Sequence, residues 1–323
     1  MKRLSLLLLP VLLALTGLSL FVGDGPLNLE RAVALDGVDR AILVDLRLPR
    51  LILALMTGAA LGACGAALQG LVRNPLAEPG LIGVTGGASL GAMIVFHFGL
   101  AALVPLALPL GGMAGAGLAV AICLALARRG AGTLGLILAG IAVSALTGAL
   151  GVLVLNLAPS PFAAYEILYW TMGSVADRSW REVLLAAPFV VAGLAVVLSR
   201  APALRLLSMG EAMGASLGVD LSRLRLSLAW GIAAAVGAVT SVTGGIGFVG
   251  LIAPHMLRPF LAQDPARLVP ASALAGAAIV LAADILTRLI PSQGPALQLG
   301  VVTALAGSPI FFWVLLRGGG TRR

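Results

Sequence analysis

The sequence predicts an all-α polytopic membrane protein of about ten transmembrane helices, and three observations predict it. Hydrophobic residues make up 60% of the 323 and charged residues 11%, with a mean hydropathy of +1.08. That is more apolar surface than one soluble core of this length can bury. Apolar stretches long enough to cross a hydrocarbon core as helix, roughly 20 residues, recur from end to end with short polar breaks. Within them Leu, Ala, Val and Gly run continuously, without the alternation over roughly ten residues that a transmembrane β-barrel requires.

The spans fall near residues 4–22, 49–72, 81–104, 106–127, 133–157, 183–199, 226–246, 247–263, 268–290 and 297–316 of a single transmembrane domain covering 1–323. The first follows Lys2 and Arg3 as a secretory leader would, but no small-residue cleavage pattern follows, so a retained helix is expected. Between the first two, Asn28 can cap a brief surface helix beginning at Leu29. Asn74-Pro75 and Glu78-Pro79 read as a structured turn after the second span. In the fifth, Gly140, Ser144, Thr147, Gly148 and Gly151 share one helical face. Such a small, mildly polar stripe suits either a pathway wall or close helix packing. Tyr165, Tyr169, Trp170 and Trp180 in the 158–182 segment suit the headgroup level. The eighth span carries the weakest signal. Spans two to five and seven to ten would enter from opposite faces, so a repeat between them would be inverted. The Gly-Leu-Ile at 80–82 and again at 250–252 is a faint echo of one.

Charge tests this map, because Lys and Arg collect on the cytoplasmic side. With both termini inside, that face holds fourteen of the 21 basic residues and four acidic ones, a formal +10; the opposite face holds seven basic and nine acidic, a formal −2. The net +8 is therefore a topology signal. It is no nucleic-acid footprint, since the basic residues are scattered and lack interleaved aromatics. Cys64 and Cys123 lie in apolar spans without further ligands at metal-binding spacing, so buried packing is expected and no metal site.

Energy for transport has no obvious source within the chain. Lys2 is the only lysine, so no Gly-rich loop ending in Lys-Ser or Lys-Thr can cradle ATP phosphates. The ionisable groups within spans are His97, His255 and the pair Asp284 and Arg288, one helical turn apart and expected to bond each other. An ion-coupled secondary carrier with inverted repeats is the competing class. No depth in the bilayer gathers the His, Asp and Glu that a membrane enzyme would need. The segment 199–225 forms two short amphipathic stretches hinged at Gly210 and stopped near Gly218, which suits either docking in a partner's groove or folding back on the interface.

Five runs in order then resemble the FecCD-type permease family, the membrane subunits of ABC importers for ferric siderophores, haem and cobalamin. They are Leu46-Arg47-Leu48-Pro49-Arg50; the stretch from Gln69 through Asn74-Pro75-Leu76-Ala77-Glu78-Pro79 to Gly83; Tyr169-Trp170-Thr171-Met172-Gly173-Ser174; Gly247 to Arg258; and Gly300 to Pro309. The resemblance covers nearly the whole chain. It implies ten helices in a bacterial inner membrane, a homodimer or paired homologues around a central pathway, two cytoplasmic ATPase subunits carrying the ATP, and a periplasmic binding protein. It also implies that Arg47, Arg50 and Arg288 present guanidinium groups to acidic residues of that binding protein. Gly210, Glu211, Ala212, Gly214, Leu217 and Gly218 would form the coupling loop against the ATPase, Gly214 standing where relatives are expected to carry Ala. No cofactor is expected on this chain. Pathway lining by Gly140, Ser144, Thr147 and Gly151 is a further expectation.

Overall fold

The computed structural model describes residues 2–23, 37–104, 106–128, 132–290 and 296–318. Among these every regular element is helical. Helix α1 covers Lys2–Phe21, and α2 (Gly37–Ala41) passes through a π-turn at Ile42–Arg47 into α3 (Leu48–Val72). A 3₁₀ turn at Pro79–Ile82 leads to α4 (Val84–His97), followed by α5 (Leu100–Leu103), α6 (Ala107–Ala127), α7 (Gly132–Asn156) and α8 (Pro161–Thr171). Then come α9 (Trp180–Leu207), α10 (Glu211–Ser216), α11 (Leu221–Thr243), α12 (Val249–Leu257), α13 (Pro265–Leu289) and α14 (Leu299–Gly318). The surface helix expected at Asn28 lies outside the described residues.

Short polar side chains set the starts of these helices. Ser160, Ser179, Asp220 and Asp264 accept backbone N–H groups at the beginnings of α8, α9, α11 and α13. At α9 Glu182 returns the bond to the Ser179 N–H in a reciprocal box. Each such cap contributes on the order of 1 kcal/mol. After α3 the chain turns at Arg73 in the left-handed region, and Asn74 Oδ1 accepts the Leu76 N–H, which makes the anticipated structured turn.

Among the described residues six helices are long and apolar enough to cross a membrane: those within Gly37–Val72, Ala107–Ala127, Gly132–Asn156, Trp180–Leu207, Leu221–Thr243 and Pro265–Leu289. Two of the expected spans are broken. The 81–104 stretch yields α4 and α5 separated by Gly99, whose φ of 66° ends the first helix. The 247–263 stretch yields only the nine residues of α12 and a 3₁₀ turn. The ring of Pro259 halts the helix there. Nine residues rise about 14 Å, less than half of a hydrocarbon core.

Helices α3 and α11 form the centre, with 78% of each apolar window buried, against 28% for α6, α7 and α9. Backbones approach through glycine. A Cβ on Gly58 or Gly62 of α3 would collide with the carbonyls of Gly276 and Ser272 on α13, and one on Gly65 with Gly250 of α12. Gly87 and Gly91 of α4 meet Gly115 and Gly111 of α6 in the same way. The packing is reciprocal: α3 lies on α13 and α12 as α11 lies on α6 and α4. The turn that carries the first Gly-Leu-Ile reaches the second, with Gly250 against Pro79, and Gly80 and Gly250 line the same cavity. Together they wall a cavity of about 220 Å³ that Glu78 and Phe248 share.

Candidate coupling and docking sites

The loop between α9 and α11 is shaped by two glycines. Gly210 has φ 116° and ψ 151°, a conformation closed to side-chain-bearing residues, and it lets α10 turn away from the end of α9. Gly218 at φ 87° reverses the chain again before Asp220 caps α11. The six-residue α10 therefore stands as a separate knuckle. Ala212 is exposed, and Met209, Met213 and Leu217 are 66%, 49% and 51% exposed, an apolar tip on an otherwise polar end of the bundle. Gly214 is the buried side of the knuckle, and a Cβ there would lie 3.5 Å from Leu207 Cα, an ordinary contact.

Glu211 ties this knuckle to two long helices. Its Oε1 and Oε2 each accept from the Arg225 guanidinium on α11 at 3.0 Å, and Oε1 also accepts from the Thr133 hydroxyl in the first turn of α7. Arg225 donates to Thr133 Oγ1 at 3.2 Å, closing the triangle. The Thr133 hydroxyl first, and then Arg225 and Arg73 by charge, hold the Glu211 carboxyl below its ordinary value against the opposing effect of burial. Thr133 and Arg225 are the functional candidates that sequence reasoning missed. Only the charge count touched Arg225, and nothing in the sequence places residue 133 beside residue 211. At the same end Arg205 holds Asp264 by two bonds of 2.8 and 2.7 Å.

At the opposite end the three arginines assigned to docking gather around α1. Asp284, 1% exposed, accepts from Arg50 Nε at 2.9 Å and from Arg288 Nε at 3.1 Å. The pairing of Asp284 with Arg288 follows from helical spacing, whereas Arg50 arrives from 234 residues away. Arg288 also donates to the Ser19 and Val22 carbonyls at 2.8 Å, and Arg47 to those of Leu20 and Phe21. These carbonyls have no partner within α1, so two cations cap its C-terminal turn and offset its dipole. The side chains of Arg50 and Arg288 are 22% and 6% exposed. Arg47 as a residue is 7% exposed. Arg50 thus has the most accessible side chain of the three.

The small stripe of α7 faces α4 and the turn before it. A Cβ on Gly140 would collide with the Leu81 carbonyl, Ser144 donates to the Gly80 carbonyl at 3.1 Å, and Thr147 sits against Gly86 and donates to the Ser144 carbonyl. Gly151 lies beside Met93, while Gly148 has open space around it. His97 at the end of α4 lies against the Phe98 ring, and His255 is half-buried on α12.

The match to known proteins spans the chain. Residues 11–317 match the model of the FecCD transport family. The vitamin B12 import system permease protein BtuC of Vibrio cholerae is 38% identical over 98% of this chain and 94% of its own length. The hemin transport system permease protein HmuU of Yersinia pestis is 39% identical over 85% of this chain and 83% of its own. The Fe(3+)-citrate import system permease protein YfmE of Bacillus subtilis is 37% identical over 96% and 93%. Among solved structures, an inward-facing metal-chelate type ABC transporter superposes with a TM-score of 0.89 at 29% identity, over 98% of this chain and 100% of that one. Every segment that carried the sequence resemblance lies inside the matched region, and so the chain belongs to the FecCD transport family.

Proposed function

We propose that this chain is the membrane-spanning permease subunit of a binding-protein-dependent ABC importer, moving an iron chelate, haem or cobalamin across the bacterial inner membrane by alternating access. The observation that carries the reading is the α10 knuckle: an exposed apolar tip on a six-residue helix, tied through Glu211 to the starts of α7 and α11. Two cytoplasmic ATPase subunits would press on that tip when ATP closes them, and rigid helices would convert the push into opening of one end of a pathway. No chemistry happens to the cargo.

The same reading supplies the remaining partners. A second copy and lipid would cover the apolar faces of α6, α7 and α9, which are largely exposed in the single chain. Ten crossings with both termini cytoplasmic, with α4 and α12 completing their crossings through adjoining turns, fit the formal +10 at the α10 end. The reciprocal packing of α3 and α11 fits an inverted repeat. A periplasmic binding protein would meet Arg50 directly, with Arg47 and Arg288 holding α1 and Asp284 in place behind it. Gly140, Ser144, Thr147 and Gly151 would face the pathway only when α7 parts from α4 during the cycle.

The test is uptake into proteoliposomes. With the ATPase and binding protein present, uptake should require ATP and survive a protonophore. Uptake by the permease alone, or its collapse with the ionophore in the presence of ATP, would establish the ion-coupled carrier instead.

A further inference from the structure

At the α10 end a cavity of about 360 Å³ opens between the last turn of α6, the start of α7 and the first turns of α11. Arg128, Arg223 and Arg225 line it beside the apolar Leu124 and Leu226, and among the described residues no acidic side chain does. Gly132, the first residue of α7, lines it too, so the positive end of that helix's dipole borders the same space.

The three cations are not equally engaged. Arg225 is committed to Glu211 and Thr133. Arg223, whose side chain is 87% exposed, pairs with the exposed Asp220 three residues before it, a contact that water screens. Arg128 is exposed and makes no hydrogen bond or ion pair among the described residues. Two reachable guanidinium groups therefore stand at the mouth.

An apolar groove continues from this cavity along the two long helices. On α11, Leu226 and Trp230 follow Arg223 on one face and are 41% and 45% exposed. On α6, Gly117, Ala121 and Leu124 precede Arg128 at the same helical spacing. The Trp230 ring lies across α6 at Gly117, 4.0 Å from where a Cβ would stand. The rise from Arg223 to Trp230 is about 10 Å, the step from phosphate level to the upper acyl chains of a bilayer.

We infer that this groove holds an anionic phospholipid of the leaflet at the α10 end, its headgroup phosphate between Arg128 and Arg223 and an acyl chain along Leu226 and Trp230. Guanidinium N–H groups pair with phosphate oxygens, and basic residues near a bilayer surface draw anionic lipid to it. A tryptophan one turn beyond the cavity suits the boundary between headgroups and chains. Charge selects among occupants: a second copy of this chain would bring the same arginines, and a zwitterionic lipid offsets its phosphate with its own cation. The inference needs only that the chain lies in a bilayer, and so stands apart from the importer reading.

Tryptophan fluorescence of the purified full-length chain in phosphatidylcholine nanodiscs tests it, with small fractions of phosphatidylglycerol or phosphatidylcholine brominated on the acyl chains as quenchers. Brominated phosphatidylglycerol should quench in excess of the phosphatidylcholine, saturably, and Trp230→Phe should abolish that excess. Arg128→Gln with Arg223→Gln should raise the half-saturating lipid fraction at least about tenfold. The corresponding lysine pair should keep it near the parent, and carries the test should the glutamine pair fail to fold. Arg225 is left in place because it holds Glu211. Equal quenching by the two lipids, or an excess that survives either the glutamine pair or Trp230→Phe, would overturn the site. Loss of the excess to inorganic phosphate would make it a site for a soluble anion instead. A change of oligomeric state in the glutamine pair, read by light scattering, would make the groove a contact between copies, and either result removes the lipid.

Discussion

At one end of the bundle Asp284 is 1% exposed between Arg50 and Arg288, whereas at the other the Glu211 side chain is 37% exposed between Arg225 and Thr133. Both are carboxylates shared by partners from different helices. They differ in what water can do for them. With water excluded from Asp284 and Arg288, removing the anion leaves the buried guanidinium without a counter-charge, so the first cluster is committed to one arrangement. At the exposed end water can replace any lost bond, so the second can break and re-form at small cost. On the proposed importer reading the two serve different ends: a fixed clasp where α1 meets α3 and α13, and a releasable one where an ATPase would push.

Substitutions at the two ends separate these roles, beginning with the largest effect. Asp284→Asn should cost about 3–5 kcal/mol, because it leaves the buried Arg288 guanidinium uncompensated. Thermal unfolding in detergent reads this, and a melting temperature near that of the parent would show the clasp to be dispensable.

Glu211→Gln should lower stability by less than about 1 kcal/mol, yet reduce ATP-coupled uptake about fivefold or more. Comparing uptake with stimulated ATP hydrolysis in the assembled importer checks it; unchanged coupling would make the triangle a passive tether. Because the carboxyl pKa of Glu211 is depressed, its stabilising contribution is fully present above the ordinary carboxylate value and is lost as pH falls through the depressed one. Coupling through Glu211 should therefore be flat from about pH 6 to 8 and weaken only below about pH 4.

Gly214→Ala fills ordinary contact space beside Leu207 and should raise the stability of the knuckle by about 0.4–1 kcal/mol, read as slower amide exchange in α10. Arg205→Ala removes a pair in which the arginine side chain is 53% exposed, and should move the melting temperature by no more than about 2 °C. A larger drop would mean that exposed pairs at this end behave like the buried cluster.

Much of this was legible in the sequence for identifiable reasons. Continuous apolar runs imposed helices because lipid leaves backbone groups no other partner. Helical spacing alone gave the bond from Arg288 to Asp284. Gly210 and Gly218 announced a hinged loop because their conformations exclude side chains. Other features were out of reach. Hydropathy averages over a window, so it read 247–263 as one span and could not see Pro259 cut α12 to nine residues. The inward turn of Arg47 and Arg288 onto α1 depends on where the end of that helix lies, which no local pattern encodes.

Taken alone, the order of apolar and basic segments determined that the chain is a helical membrane protein with one strongly basic face, since those properties follow from local transfer energies and helical periodicity. Only the tertiary structure decided which charges are spent within the protein and which stay available. Arg50 finds Asp284, and Glu211 finds Thr133 and Arg225. Those outcomes depend on the approach of helices far apart in the chain, made close by glycine seams whose depth and register no single segment carries.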